Sequence, residues 1–376
     1  MKKAWYISSP VAITTLSDTL EGTYEAIIRG EDGFKRDKNG NYVGIIGNED
    51  DDRFSNLLSM TMERLGADAE RYVKRYGKDR VGLVVGGTDY NSHLAGIAHK
   101  KYVNEGKFGE YELITQNPYS IVGRMKSELG IGGPAFSVAN ACSSSAVALM
   151  RGIEMLEAGT LDAVLVGGMD IASPLVISGF SSLSVISRNK AVPFMAGRDG
   201  ITLSDASCFF FVTKENISGL PVAITGYGER SDGYSMSAPE PDGVSVIEAI
   251  DEALQSASLD YSDIDYINLH GTGTKQNDAM EMKVLSKLFP GVYASSTKAY
   301  TGHTLASAGA LEIAITAFSI AHSDKYPMPP MKVEGEADEG CSAFAFPPGR
   351  AVKVDRAMSF SFAFGGSDAV VILERI

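Results

Sequence analysis

The sequence predicts a layered α/β fold, and three observations support this class. Two continuous apolar runs, at residues 80–87 and 161–168, each end in paired glycines, as buried strands of a parallel sheet do. Between them, apolar residues recur at helical spacing over residues 143–157, and Gly159 follows as a stop signal. The 40 glycines lie mostly at the ends of short β-branched runs. Strands and helices that alternate in this order pack as sheets covered by helices.

The second half of the chain repeats this alternation. A weak internal similarity is also present, because the segments 137–142 and 296–303 each precede a helix rich in small residues. Because 376 residues exceed the usual size of a single core, we expect two similar halves, 1–215 and 216–376, whose two helix starts share one cleft. The elements predicted in the second half are helices over 249–257, 280–288 and 308–321 and strands over 264–269, 356–362 and 368–373. The predicted surface loops are 29–53 and 332–349.

Composition and charge argue against several classes of protein. The chain is 44% hydrophobic and 22% charged, which is typical of globular proteins. Its net charge of −13 argues against nucleic acid as a partner, since a protein that neutralises phosphates is normally basic. No apolar run reaches the roughly 18 to 20 residues that a membrane span needs, so no membrane contact is predicted. No secretory pattern follows the first residues, and we therefore expect a cytoplasmic protein.

Three cysteines, Cys142, Cys208 and Cys341, are too few and too irregularly spaced for a disulfide framework or a zinc knuckle. Cys208 lies in an apolar run, where an inert buried thiol is expected. Cys142 is different, because it stands at the predicted start of a helix, where unpaired N–H groups and the helix dipole favour the thiolate. We therefore expect a low thiol pKa at Cys142. From this local sequence alone, a small buried turn residue stays an alternative.

Two of the five histidines, His270 and His303, lie in glycine-flanked turns directly after strand-like runs. Loops at strand ends are where α/β proteins build their sites, so both imidazoles are candidate catalytic groups. Together with Cys142 they could also bind a metal ion. Their spacing, however, contains neither paired cysteines nor an HExxH pattern, and no metal site is predicted.

A lysine and three acidic residues lie near these histidines in the sequence. Lys298 precedes His303 by five residues. If buried, Lys298 could pair with Glu312, or with Asp278 and Glu281, which lie three positions apart on one face of a predicted helix. A solvated helix surface is the alternative for these charges.

The motifs around the cysteine, the two histidines and the lysine resemble those of a known enzyme family. The chain is similar over nearly its whole length to the β-ketoacyl-ACP synthases of the elongating, Cys-His-His type. The resemblance implies a thiolase-like fold, in which two pseudo-equivalent α/β halves form a five-layered α-β-α-β-α core, usually in a dimer. The motifs that carry it occur in the family's order: Asn-Ala-Cys-Ser-Ser-Ser at 140–145, Pro-Phe at 193–194 with Ala-Gly-Arg-Asp-Gly at 196–200, His-Gly-Thr-Gly-Thr at 270–274 with Asn277, Asp278 and Glu281, Ser-Thr-Lys at 296–298 with Thr-Gly-His at 301–303, and Phe-Ala-Phe-Gly-Gly at 362–366.

The resemblance also implies a reaction, the decarboxylative Claisen condensation of an acyl group on Cys142 with malonyl-ACP, in fatty acid or polyketide/polyene synthesis. The backbone N–H groups of Cys142 and Phe364 would form the oxyanion hole. His270 and His303 would stabilise the enolate, and Lys298 would fix the charge and tautomer of the site. The resemblance also implies that four residues contact the substrate, namely Thr272, Thr274, Phe362 and Phe364, with Phe364 as the gate. It implies that three acidic residues support the catalytic groups, namely Glu312, Asp278 and Glu281.

The same resemblance implies partners and cofactors. It implies no cofactor of the enzyme itself, because the substrates are carried on the phosphopantetheine of an acyl carrier protein. The expected partners are this carrier and a second ketosynthase subunit, either a copy of this chain or a related one. Carrier proteins are acidic, so Arg124 and Lys126 are candidates for a basic docking patch, although solvated charge on a helix is the preferred interpretation for them.

The sequence departs from the family at several positions. Ala363 replaces the glycine between the two gate phenylalanines, and Phe360 replaces the asparagine before Ser361. Because glycine allows positive φ, we expect the methyl group of Ala363 to stiffen or re-aim the gate. The other departures are Met195 for an aspartate, Ile201 for a phenylalanine, and residues 204–207 for a Gly-Glu-Gly-Ala-like turn.

Two alternative functions stay open, and the departures at the gate and the turn bear on the first of them. One is a non-condensing partner subunit of the chain-length-factor kind, which would have lost its nucleophile. The intact Cys142, His270 and His303 argue against it. The other is a Cys-His hydrolase or a thiolase. A thiolase would need a second cysteine as a base, and Cys341 lacks the expected glycine context.

Overall fold

The first half of the chain begins with strands and ends with strands, as the α/β class predicts. The structure is a computed structural model that describes residues 3–49, 52–90, 92–107 and 117–376. The elements of the first half are β1 (Trp5–Ile7), β2 (Val11–Thr14), α1 (Leu20–Ile28), β3 (Phe34–Arg36), β4 (Tyr42–Gly44), α2 (Arg53–Tyr76), β5 (Val81–Gly86), α3 (Ser92–Glu105), α4 (Pro118–Glu128), β6 (Ala135–Val138), α5 (Ser144–Glu157), β7 (Ala163–Asp170), α6 (Pro174–Ser182) and β8 (Ala206–Thr213).

The second half also alternates strands and helices. Its elements are β9 (Val222–Ser231), α7 (Val244–Ala257), β10 (Tyr266–Asn268), α8 (Lys275–Leu288), β11 (Tyr293–Ser295), the short α9 (Lys298–Thr301), α10 (Ala308–Ala321), β12 (Arg356–Ala363) and β13 (Ser367–Arg375). Each helix and strand predicted from the apolar pattern is present in the structure, and the observed ends differ from the predicted ones by a few residues.

Both halves have the same strand topology. In the first half, β6, β5 and β7 are parallel neighbours, and β8 pairs antiparallel with β7. In the second half, β11, β10 and β12 are parallel neighbours, and β13 and β9 continue the sheet antiparallel. The two sheets are joined because β1 pairs with β8 on one side and with β9 on the other. The repeated order supports the internal duplication that the sequence suggests.

Successive side chains along a strand point to opposite faces of the sheet and so enter different cores, which shows that the fold has five layers. On β8, Phe209 and Phe211 pack into a core with α2 and α4, whereas Phe210 faces a second core that contains α5 and α10. On β13, Val371 faces this same central core, and Val370 faces a third core with α7 and α8. The helices α5 and α10 therefore form a central layer between the two sheets, and two outer helical layers cover them.

The composition of α10 explains its central position. This helix is apolar over most of its circumference and almost completely buried, as a helix between two sheets must be. Close contact with α5 depends on small residues. A Cβ built on Gly309 would lie 2.9 Å from the Cβ of Ala146, so only glycine fits here without a shift of the helices.

The predicted surface loop 29–53 is more structured than expected. It contains the hairpin of β3 and β4, and its last residue, Arg53, is buried at the start of α2. The guanidinium of Arg53 binds Asp205, with 2.5 Å between Nη1 and Oδ2. Residues 50 and 51 of this loop lie outside the described residues. Within the described part of the chain, no helix combines the length and the apolar character needed to cross a bilayer.

Candidate active site

Cys142 lies in a single 3₁₀ turn, Ala141–Ser143, between β6 and α5. The Ser144 hydroxyl donates to the carbonyl of Ala141 (2.6 Å), and it accepts the backbone N–H of Asn140 (2.9 Å). These bonds hold Ala141 at a φ of +45°, in the left-handed region. The sequence prediction is correct that Cys142 stands at the beginning of a helix.

The expectation of a low thiol pKa at Cys142 is wrong for this structure. The side chain is buried, and burial raises the pKa of the thiol to about 12. The charge of Lys298 and a hydrogen bond from the backbone N–H of Phe364 act in the opposite direction, but they do not compensate for the loss of water. The helix start alone therefore does not make this thiol a thiolate.

The loop that carries His270 is held by two buried acidic side chains of α8. Glu281 accepts the backbone N–H groups of His270 and Gly271, each at 2.7 Å. Asp278 accepts those of Thr272 and Gly273, each at 3.2 Å. Burial raises the pKa of Glu281 to about 8 and also raises the pKa of Asp278. Neither carboxyl group is on a solvated helix face, and neither pairs with Lys298, so both act on the backbone of the loop.

Lys298 pairs with Glu312, the first of the two partners that the sequence left open. Both side chains are almost fully buried, and they form an ion pair between α9 and α10. The ammonium group also donates to the carbonyl of His270 (2.6 Å) and lies 3.3 Å from its Nδ1. Because an ammonium group can only donate, Nδ1 must accept, and the ring of His270 carries its proton on Nε2.

His303 is fixed in the same tautomer by a different group. The backbone N–H of Leu305 donates to Nδ1 of His303 (3.1 Å), which leaves the proton on Nε2. Burial and the charge of Lys298 lower the pKa of His303 to about 3 and hold the pKa of His270 well below its usual value. Both imidazoles are therefore neutral N–H donors. Their ring centroids are 5.7 Å apart, and the rings are nearly perpendicular.

One cavity brings the predicted residues together. Phe364 stacks on Phe180, with 5.7 Å between ring centroids. The hydroxyls of Thr272 and Thr274 are 3.0 Å apart, so they can hydrogen-bond to each other or to a ligand. The ring of Phe362 packs against His270. The predicted site residues that line this cavity are Cys142, His270, His303, Thr272, Thr274, Phe362 and Phe364.

The structure locates three of the departures from the family motifs. Ala363 is the last residue of β12 and has ordinary strand geometry, whereas Gly365 and Gly366 carry the positive φ values of the turn. Ala363 therefore does not occupy the positive-φ position on which the expectation was based, and its effect on the movement of the gate stays a prediction. Phe360 and Met195 are both buried in the core with α7 and α8.

The sequence reasoning missed one acidic residue, Asp170, which ends β7 and is fully buried. Its carboxylate accepts hydrogen bonds from Thr88, Asp89 and Ala306. Burial raises its pKa to about 6. An aspartate directly after the Gly-Gly-Met end of a buried strand is a signal that could have identified it. Of the candidate docking residues, Arg124 pairs with Glu128 on the surface of α4.

No group of three or more His, Cys, Asp or Glu side chains in the described ranges is arranged to hold a metal ion. The chemistry that the site offers is that of a thiol, two neutral N–H donors and a backbone N–H group. These are the parts needed to transfer an acyl group and to stabilise an oxyanion.

Comparison with known families agrees with this set of residues. Residues 25–216 match the profile of the "Beta-ketoacyl synthase, N-terminal domain", and residues 222–331 match that of the "Beta-ketoacyl synthase, C-terminal domain". The chain belongs to the β-ketoacyl synthase family. The family predicted from the motifs is thus confirmed.

Individual members of the β-ketoacyl synthase family are distant relatives in sequence. The 3-oxoacyl-[acyl-carrier-protein] synthase 2 of Staphylococcus aureus (strain COL) is 26% identical over 342 residues, which cover 86% of this chain and 82% of that protein. The protein of the same name from Coxiella burnetii is 32% identical over 272 residues, which cover 68% of this chain and 65% of that protein.

Solved ketosynthase structures resemble the whole chain. A chain of the structure described as the ketosynthase ApeO in complex with its chain length factor ApeC, from Xenorhabdus doucetiae, gives a TM-score of 0.87 at 31% identity, covering 100% of this chain and 98% of that chain. A β-ketoacyl synthase from Burkholderia phymatum STM815 gives 0.84 at 23% identity, with 100% of both chains covered. The predicted thiolase-like fold is confirmed.

Proposed function

We propose that this chain is a β-ketoacyl-ACP synthase that condenses an acyl group on Cys142 with malonyl-ACP. The observation that carries the proposal is the convergence of the Cys142 thiol and two neutral imidazoles, His270 and His303, on one cavity. Both rings present an Nε2–H group because their Nδ1 atoms are occupied. The names of the curated relatives support the same reaction.

The first step is acyl transfer. The sulfur of Cys142 attacks the thioester carbonyl of an acyl carrier protein, and the C–S bond to the pantetheine breaks. The proton of the thiol leaves with the pantetheine sulfur, so no external base is consumed. The backbone N–H groups of Cys142 and Phe364 stabilise the oxyanion of the tetrahedral intermediate, as preformed donors in a site that excludes water.

The second step is decarboxylation and carbon–carbon bond formation. The malonyl thioester loses carbon dioxide, and the electrons of the broken C–C bond form an enolate. The Nε2–H groups of His270 and His303 donate to the enolate oxygen. The enolate carbon attacks the acyl thioester, the bond to Sγ of Cys142 breaks, and this sulfur then takes a proton from solvent. The product is a β-ketoacyl thioester longer by two carbons.

Neutral imidazoles suit the enolate step. A protonated imidazole of ordinary pKa could give its proton to the enolate carbon and end the reaction without condensation, whereas a neutral ring donates a hydrogen bond and keeps its proton. Lys298 contributes in two ways, because its charge disfavours protonation of both rings and its ammonium group holds Nδ1 of His270. Glu312 holds Lys298 in this position.

The cavity also suits a substrate on a phosphopantetheine arm. Thr272 and Thr274 place two hydroxyls along the cavity wall, where the amide groups of the arm would pass. An apolar groove on the other side of Cys142 would take the acyl chain. Leu175 and Leu183 line this groove and are 54% and 51% exposed, which favours a second subunit that covers them, either a copy of this chain or a related ketosynthase.

Mass spectrometry of the intact protein tests the proposal. The protein is incubated with acyl carrier protein thioesters of several chain lengths, and malonyl-ACP is added afterwards. We expect an acyl adduct that disappears when the malonyl donor is added, together with a β-ketoacyl product on the carrier. Cys142→Ala should form no adduct, whereas Cys208→Ala, which removes another buried thiol, should behave as the wild type. No adduct from any donor would contradict the proposal and indicate a non-condensing partner subunit.

A further inference from the structure

The buried carboxylate of Asp170 joins the two halves of the fold next to the cavity. It lies at the end of β7, in the first half, and none of its surface reaches solvent. Oδ2 accepts the hydroxyl of Thr88 (2.6 Å) and the backbone N–H of Ala306 (3.0 Å), and Oδ1 accepts the backbone N–H of Asp89 (3.1 Å). Ala306 belongs to the second half, so this one side chain binds segments that lie more than a hundred residues apart.

The segment around Ala306 repeats the geometry of the turn that carries the nucleophile. A 3₁₀ turn, Leu305–Ser307, leads into α10, just as Ala141–Ser143 leads into α5. The first residue of each turn has a positive φ, +45° at Ala141 and +56° at Leu305. Ala306 therefore occupies in the second half the position that Cys142 occupies in the first.

The strand ends that face these two turns are also related. Phe364 follows β12 and donates its backbone N–H to the sulfur of Cys142. Asp170 ends β7, the corresponding strand of the first half, and accepts the backbone N–H of Ala306. In the second half, the backbone N–H of Ala306 corresponds to that of Cys142, and the carboxylate of Asp170 from the first half accepts it.

We propose that Asp170 is a positioning residue that holds the 305–307 turn, and through it His303, while its negative charge opposes ionisation of Cys142. The first effect follows the chain. Asp170 fixes the backbone of Ala306, and the adjacent Leu305 donates the N–H that sets the tautomer of His303. Without the carboxylate, a turn with a non-glycine residue at positive φ would lose the group that stabilises it.

The second effect is electrostatic. The charged groups that act on the Cys142 thiol are Lys298, which lowers its pKa, and Asp170 and Glu312, which raise it. Asp89 is the acidic group that acts on Asp170 itself. Burial raises the pKa of Asp170 to about 6, so the group is mostly ionised at neutral pH and above, where its charge acts on the thiol.

Asp170→Asn tests both effects. Iodoacetamide alkylation of Cys142, followed at pH 9 by mass spectrometry, should become faster by several-fold, because removal of a negative charge lowers the thiol pKa. Decarboxylation of malonyl-ACP without an acyl primer should become slower by roughly tenfold or more, which is less than the roughly 10²- to 10³-fold effect of losing an oxyanion donor outright, because His303 is displaced and not removed. A loosened turn would also expose the buried thiol, so Thr88→Val, which weakens the same contact but keeps the carboxylate, separates the effect of charge from that of loosening.

Two variants complete the experiment. Asp162→Asn removes an exposed charge just before the N-terminal end of β7. It should change neither the alkylation rate of Cys142 nor the rate of malonyl-ACP decarboxylation. Thr88→Val removes the hydroxyl donor but keeps the charge of Asp170, so decarboxylation should fall while alkylation does not accelerate. If Asp170→Asn does not fold, the Thr88→Val result decides, since an unchanged decarboxylation rate overturns the proposal.

Alkylation of Asp170→Asn at or below the wild-type rate also overturns the proposal. Only the decarboxylation measurement rests on the proposed condensing function. The alkylation measurement does not need an active enzyme, so the two hypotheses fail separately.

Discussion

Lys298 and Glu312 form an ion pair in which the two side chains are only 1% and 2% exposed. A buried charge is tolerated when it is paired and hydrogen-bonded, and Lys298 meets both conditions through Glu312 and the carbonyl of His270. The pair links α9 to α10, and its position is set by the central helical layer. The charge that, after burial, contributes most to the lowered pKa of both imidazoles is therefore part of the core of the protein.

Glu312→Gln should destabilise the protein by about 3 kcal/mol, because it leaves the ammonium group of Lys298 buried without a counter-charge. The free energy of unfolding in guanidinium chloride measures this change. Glu128→Gln breaks an exposed ion pair with Arg124 and should cost less than about 1 kcal/mol. Equal effects of the two substitutions would contradict the buried ion pair.

Replacement of His303 by alanine should affect the two half-reactions differently. Loss of one enolate donor should slow malonyl-ACP decarboxylation by roughly 10²- to 10³-fold, whereas acyl transfer to Cys142 depends on the backbone oxyanion hole and should change much less. Carbon dioxide release and adduct formation measure the two steps. His303→Gln, which keeps an N–H donor, should retain more activity. A parallel loss of both steps would assign His303 a structural role.

The low pKa of His303 predicts a change of stability with pH. The unfolded chain binds a proton at His303 below the usual pKa of about 6.5, whereas the native protein does so only near 3. In this window the unfolded state binds more protons, so stability falls as the pH falls, by up to about 1.4 kcal/mol per pH unit for this group. Unfolding of wild type and His303→Gln at pH 7, 6 and 5 measures the effect. The difference in unfolding free energy between wild type and His303→Gln should shift in favour of the variant as the pH falls. Parallel plots of unfolding free energy against pH for the two proteins would contradict the prediction.

Gly309→Ala should destabilise the contact between the central helices. The added Cβ would meet the Cβ and backbone N of Ala146 at 2.9 and 3.0 Å, and a shift of packed helices typically costs about 1–3 kcal/mol. Gly66→Ala in α2 is the matched control, because no atom lies near its Cβ, and it should stabilise the protein by about 0.5–1 kcal/mol. Thermal unfolding of both variants tests the prediction, and a neutral Gly309→Ala would show that the layer can adjust.

The sequence was sufficient for features that depend on local patterns. Apolar periodicity located α5, α10, β7 and β13, because each element buries a continuous face or is buried on all sides. The motifs also identified residues that the fold brings to one cavity, although they come from segments far apart in the chain. Short, glycine-flanked motifs locate such residues because they mark strand ends.

The errors have a common physical cause, namely burial, which depends on segments distant in sequence. The helix start at Cys142 predicts a low thiol pKa, but enclosure by both halves raises it. Arg53 reads as part of a loop because its partner, Asp205, lies far along the chain. The sequence did not identify Asp170 as a site residue for the same reason, since its hydrogen-bond donors come from two other segments.

The position of β1 has a consequence for biosynthesis. This strand lies between β8 and β9, and the second-half sheet also needs β13, which pairs with β9. The ribosome makes the nucleophile at position 142 well before His270, His303 and Phe364. Chains released early should carry the cysteine without the groups that direct its chemistry, and the first half alone should present unpaired strand edges to chaperones and proteases.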